Sequence, residues 1–256
     1  MSAIESPVLR ELLLALADDE LCVGQNHAYW IAVSPFLEED LAFTSIAQDE
    51  LGHARAVYQL LVDSDQPRAV DDLAYGRDAA AYRSAHIAED LCHDWSRALV
   101  RHAIYDLAER VRWDALAESR IEALAGTAQR AAAEEQFHRR HAIPLLQRLL
   151  GTAEGIERLT PLVVEFAAAG QELFELDADD DAVAELVADG LIGSDLVAQR
   201  TQWQADVDDV VAPYGIALDW SSAPTRRGRT GQRSDDFGPL YEEMVAVLQL
   251  DRTAAW

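Results

Sequence analysis

The chain of 256 residues contains no lysine: its 21 basic residues are all arginine and stand against 46 acidic ones, for a formal net charge of −25. A surface of that sign repels polyanions, which excludes nucleic-acid binding through a broad basic face. Cysteine is almost as scarce. Cys22 and Cys92 are the only two, so a disulfide framework is excluded and a reducing compartment fits; each reads as a small core residue rather than a reactive thiol. No apolar run reaches the ~18–20 residues that a membrane span requires. The start, Met1-Ser2-Ala3-Ile4-Glu5, has no basic segment ahead of an apolar one, so no secretory signal is expected. The expected location is the cytoplasm, with no membrane and no nucleic acid as partner. Alternating strand patterns are nearly missing, which leaves little room for β-structure.

What remains is helix. Half of the chain is apolar, and Ala, Leu and Glu recur at helical spacing, so the fold class is all-α. Ser6-Pro7 predicts a first helix running to about Val33, and Ser34-Pro35 repeats the signal for a second, to about Asp63. Ser64 to about Arg83 is too long for a tight turn and has room for a short helix. A third helix is expected over His86–Ala117. A fourth runs from the capping-box pattern Ser119-Arg120-Ile121-Glu122 to Leu150, with Pro144 predicting a kink or an early stop. Residues 1–150 thus read as a four-helix core and 151–256 as a helical extension. The extension's helices are expected near Ile156–Leu176, Asp181–Leu191, Ser194–Val210 and from Pro239 to Leu250, with a long loop over 212–236.

Two Glu-x-x-His patterns carry the chemistry: Glu50-Leu51-Gly52-His53 and Glu135-Gln136-Phe137-His138. At i and i+3 the carboxylate and the imidazole share a helix face. That face is the apolar one. The second helix reads Phe43, Ile46, Glu50, His53, Val57, Leu60, and the fourth reads Leu124, Ala128, Ala131, Glu135, His138, Ala142, Leu145. The first helix shows Leu13, Leu16, Glu20, Val23, and the third Trp95, Leu99, His102, Asp106, Glu109, Trp113. Bare ionised groups on the inner face of a bundle cost several kcal/mol each, a cost that direct ligation of one or two dications offsets. The competing reading is ordinary charged faces pairing with nearby arginines, which the inward phase of all these residues disfavours.

Spacing tests the metal idea independently. Glu20 and Glu50 lie fifteen residues on either side of Pro35, so in an antiparallel pair both sit about 22 Å from the turn. Asp106 and Glu135 are nearly equidistant from Arg120. One carboxylate from each of two helices facing a Glu-x-x-His from each of the others is the ferritin-like di-metal arrangement, and the stretch after the second helix supplies its long crossover. The expected ligands are Glu20 and Asp106 as terminal or bridging carboxylates, Glu50 and Glu135 as bridging carboxylates, and His53 and His138 as neutral imidazoles. Glu109 or His102 is the alternative to Asp106 by a one-turn shift. Asp49 and Glu134 are placed to accept the second ring proton of each histidine across the bundle, or else are solvated charges. Oxygen and nitrogen donors with open positions suit iron, with manganese the alternative, better than a closed structural zinc site.

Several segments also resemble the ferritin-like subunits of the phenylacetyl-CoA epoxidase family, a multicomponent oxygenase of aerobic phenylacetate breakdown, and are most like its C subunits. They are Leu16-Ala17-Asp18-Asp19-Glu20-Leu21, Trp30, Pro35 to Ala42, Asp49-Glu50-Leu51-Gly52-His53-Ala54-Arg55, Thr230-Gly231, Phe237-Gly238-Pro239-Leu240, Glu243-Met244 and Trp256. The resemblance covers most of the chain and is looser over 150–220. It implies a di-iron catalytic subunit paired with a homologous structural one, a separate reductase, and an aromatic acyl-CoA as substrate. Where C subunits commonly carry glutamine, this chain has His53, and all six ligand positions are filled. The frame is C-like and the ligands are like those of the catalytic subunit. An oxygenase component is therefore expected, against a non-catalytic partner subunit or a stand-alone ferritin-like iron protein. Arg226, Arg227, Arg229 and Arg233 form a basic loop that reads either as a receiver of CoA phosphates or of an acidic partner, or as a solvated loop.

Overall fold

The computed structural model describes residues 4–62 and 69–251. The first part of the crossover, 63–68, and Trp256 lie outside them. Among the described residues there is no strand. The helices are α1 (Pro7–Ala28), α2 (Leu37–Leu61), α3 (Ala69–Tyr75), α4 (His86–Glu89), α5 (Trp95–Ala117), α6 (Glu122–Leu150), α7 (Ala153–Gly170), α8 (Asp180–Ala188), α9 (Leu196–Val211) and α10 (Phe237–Leu250).

The Ser6-Pro7 signal works as expected: Ser6 Oγ accepts the Leu9 N–H at 3.3 Å, and Pro7 is the first helical residue. α1 stops at Ala28, short of Val33. The chain turns through 29–34 with Ala32 at φ 68°, and the Asp40 carboxylate accepts the Ala32 N–H that this turn frees. The single third helix expected over 86–117 is instead two. Asp90 accepts from the Cys92 N–H and is gripped by Arg97, Cys92 sits at φ 48°, and Asp94 restarts the chain by capping the N–H groups of Ser96 and Arg97. A left-handed residue between two aspartate caps breaks the helix where hydrophobic periodicity runs on unbroken.

α6 starts at Glu122, and Ser119 Oγ accepts the Ile121 N–H instead of closing a capping box. Pro144 neither stops nor shortens it. Both Pro144 and Arg140, whose carbonyl loses its partner, lie on the exposed face, where water replaces the missing donor. α9 is capped by Asp195 rather than Ser194.

α1 packs along α2 and α5 along α6, and the two hairpins meet chiefly where α2 faces α6. The result is a ferritin-like helical bundle. α7 and α9 lie against α5, and the apolar core continues from α1 through Phe166, Trp203 and Phe237. At Gly24 a Cβ would stand 2.9 Å from Leu51 Cγ and 3.1 Å from Glu50 Cβ. The glycine lets α1 approach α2 one turn from Glu20, at the level of the polar residues.

The inner half of the basic loop, Arg229 and Arg233, is bound inward, while Arg226 and Arg227 are exposed. Arg229 is 1% exposed and donates to both Asp19 oxygens at 2.9 and 2.8 Å. Arg233 reaches Glu89 at 2.6 Å and Ser84 at 2.8 Å, and Arg226 pairs with Glu175 at 2.7 Å. Gly228 makes this fit, since a Cβ there would meet the Ser84 carbonyl oxygen at 2.0 Å.

Candidate metal centre

Where the two hairpins meet, Glu20, Glu50, Asp106, Glu135 and His138 are wholly buried and His53 is 5% exposed. Glu20, Glu50 and His53 each offer a ligand atom within 4.8 Å of the others, and so do Glu50, Glu135 and His138. Glu50 belongs to both groups, the position of a bridging carboxylate. Both histidines turn Nδ1 inward. His53 Nδ1 is 3.2 Å from Glu20 and 3.5 Å from Glu50, while His138 Nδ1 is 3.1 Å from Glu135 and 3.7 Å from Glu50.

The outward nitrogens cross the α2–α6 seam in opposite directions. His53 Nε2 lies 2.8 Å from Glu134, and His138 Nε2 lies 3.2 Å from Asp49. With each Nε2–H directed at a carboxylate, Nδ1 is the nitrogen whose lone pair a neutral imidazole would turn to the interior. Glu134 is half-exposed and borders a cleft of about 220 Å³ over His53, lined also by Gln48, Gly52 and Arg130. Of the buried expected ligands only His53 lines this cleft.

Asp106 falls outside both three-residue groups; its carboxylate lies 3.0 Å from His102 Nδ1. His102 continues into a ring cluster, edge-on to His27 at 4.9 Å and tilted against His141 at 5.8 Å between ring centroids, and His141 ends on Glu39 at 3.0 Å. His27 escapes a reading of the sequence because one histidine on an apolar face gives no pairing signal. Two further residues surround the site. The Tyr105 hydroxyl donates to Glu20 at 3.1 Å, and the Trp113 ring stands 5.5 Å from His53. Trp113 shows in the stripe of α5, whereas Tyr105 does not, because the hydroxyl reaches across from the neighbouring register.

Packing these acids together has a measurable consequence. Burial and the Glu50 charge push Glu20 up to about 8, and burial raises Glu135 to about 7 against the pull of His138. Burial and Glu135 raise Glu50 as well. Burial alone would lower both histidines, but Glu20 and Glu50 carry His53 up to about 12, and Glu135 with Asp49 carries His138 up to about 11. In the bare chain protons hold these charges together.

The donor set fits a divalent pair. Both oxygens of Glu50, Glu135 and Asp106, and His138 Nδ1, are buried without a hydrogen-bond partner. Buried polar atoms of this kind are rare unless something binds them. Acceptors and imidazole nitrogens directed at one space are satisfied together by cations.

Fold and site define a class: a ferritin-like helical protein with a buried carboxylate–histidine cluster shared between two helix hairpins. A model of the family described as phenylacetic acid catabolic protein matches residues 1–256. The chain belongs to that family. It is 27% identical over 244 residues to the C subunit of 1,2-phenylacetyl-CoA epoxidase from Escherichia coli strain K12, covering 95% of this chain and 97% of the relative. No helix among the described residues is long and apolar enough to cross a membrane.

Proposed function

We propose that this chain is a component of a multicomponent aerobic oxygenase that epoxidises the ring of an aromatic acyl-CoA, phenylacetyl-CoA, and that it carries a carboxylate-bridged di-iron site. The ligands are Glu20, Glu50, His53, Asp106, Glu135 and His138, with Asp49 and Glu134 behind the histidines. The observation that carries this reading is the pair of three-ligand groups sharing Glu50. An iron pair bound there supplies the redox chemistry that ring oxygenation by dioxygen requires. The chain's own groups do the rest. Glu50 spans the two halves, Glu134 and Asp49 fix the imidazole tautomers, Tyr105 orients Glu20, and the apolar layers above and below exclude water. Residues 1–150 form the ligand-bearing unit, and 151–256 the extension braced on α5. Asp106, which faces His102 in this structure, would supply the α5 carboxylate to the half of Glu135 and His138.

The partners in this reading are a homologous catalytic subunit, a reductase that delivers electrons, and the acyl-CoA, all in the cytoplasm. The exposed apolar side chains Tyr29, Ile31, Val33, Phe36, Leu37 and Leu41 cluster at the α1–α2 turn, which supports a subunit that buries surface against another protein. A non-catalytic partner is the weaker reading, since it has no need of the unpaired acceptors of Glu50 and Glu135; a stand-alone iron protein would use them too, and is the weaker reading because the similarity to an oxygenase subunit runs over 95% of this chain. Anaerobic loading tests the proposal: about two Fe(II) per chain are expected for a di-iron bundle, and a ratio near zero removes the chain from the metal-bearing class.

A further inference from the structure

One buried carboxylate beside the centre is left without a role. Glu109, on α5, is wholly buried, and its carboxyl lies against that of Glu20. Its Oε1 accepts from Arg112 at 2.7 Å, while Oε2 has no donor. Arg112 is itself clamped: its second nitrogen donates to Asp19 at 2.7 Å, and both oxygens of Asp19 are taken by Arg229. Arg229 in turn donates to the carbonyl of Arg83 at 2.6 Å. A chain of paired charges therefore runs from the 226–233 loop through α1 and α5 and ends at the Glu109 carboxyl, against that of Glu20. Buried ion pairs of this kind seldom add net stability over apolar packing, so stability alone does not account for the chain. Its inner end stands beside Glu20, although Glu109, like Asp106, falls outside both three-residue groups.

We infer that Glu109 is an additional carboxylate of the metal centre, offering Oε2 to the ion on the His53 side, and that the Asp19–Arg112–Arg229 clamp sets its position. Asp106 remains the α5 carboxylate of the His138 side, so α5 serves both ions and the two halves are unequal. This rests on the di-metal reading above and deepens it.

The test is Co(II) titration of the full-length protein, read by equilibrium dialysis and by the visible spectrum, with helical content and Tm followed in parallel. Wild type binding no Co(II) would sink the di-metal reading itself. Given two ions in wild type, Glu109→Gln keeps the size and the Arg112 contact and is expected to weaken one of the two by about tenfold or more, leaving the other unchanged. Two ions bound at wild-type affinity with a wild-type spectrum overturn the assignment. Should that variant fail to fold, the double replacement Glu109→Met with Arg112→Met removes both charges together and is read by the same criterion. For the clamp, Arg229→Lys is expected to keep two ions but shift the spectrum of the His53-side one. An unchanged spectrum removes the clamp from the proposal.

Discussion

Charge at single residues decides how this centre behaves with and without metal. In the bare chain Glu135 and Glu20 are raised from 4.5 to about 7 and about 8, and His138 and His53 from 6.5 to about 11 and about 12. All four folded values exceed the unfolded ones, so the folded bare chain holds more protons than the unfolded chain. The stability from these groups is complete below the unfolded values and is lost as pH climbs through the folded ones. Metal reverses the sign, because ligation needs neutral imidazoles and ionised carboxylates. The Tm of bare protein, relative to Glu135→Gln, is therefore expected to fall between about pH 4.5 and about pH 7, and the loaded protein to gain Tm over the same range. A bare-protein difference that is flat or rising would mean that these groups do not share one field. His53 gives a sharper test. Replacing it with glutamine removes an Nδ1 ligand from one group only, so His53→Gln is expected to bind about one Fe(II) per chain instead of two, read by metal analysis. Retention of two ions would put His53 outside the centre.

Among the helices, local rules decide what is legible in the sequence. The inward phase of Glu50, His53, Glu135 and His138 and the equal distances of Glu20 and Glu50 from Pro35 need only helical periodicity and a short turn. The break over 90–94 is invisible because it depends on a left-handed Cys92 and on the grip of Arg97 on Asp90, neither of which disturbs the apolar stripe. Spacing puts Asp106 on the buried face of α5, but not in contact with His102, which is a choice of rotamer. Two substitutions test how the helices position the centre. Gly24→Val forces a side chain against Leu51 and Glu50, and overpacking of this kind costs about 1–3 kcal/mol. The variant is expected to show a lower Tm and weaker Fe(II) binding together, because α1 carries Glu20. Asp94→Ala removes the cap of α5 and costs about 1 kcal/mol. Far from the ligands, it should lower Tm while leaving the ion count unchanged.

Across the bundle and its extension, the partners that decide structure are far apart in sequence. Arg229 meets Asp19, and Arg233 meets Glu89, pairings that no local pattern announces, so the inner half of a loop that reads as free basic surface is an internal brace. The opposite holds at the α1–α2 turn. Phe36 is 68% and Leu41 63% exposed, and with Tyr29, Val33 and Leu37 they make an apolar patch rather than scattered exposed residues. Around them stand Glu38, Glu39 and Asp40, on a molecule of net charge −25. A second copy would bring like charge against like, whereas a different subunit can offer an apolar face rimmed with basic residues. In the proposed complex this strip faces the homologous oxygenase subunit. Phe36→Asp combined with Leu41→Asp is then expected to abolish co-purification with that subunit while helical content and Fe(II) count stay at wild-type values. Association that survives the double variant places the contact elsewhere on the bundle. A concentration-dependent dimer of the wild-type chain, dissolved by the same changes, would instead assign the strip to self-pairing.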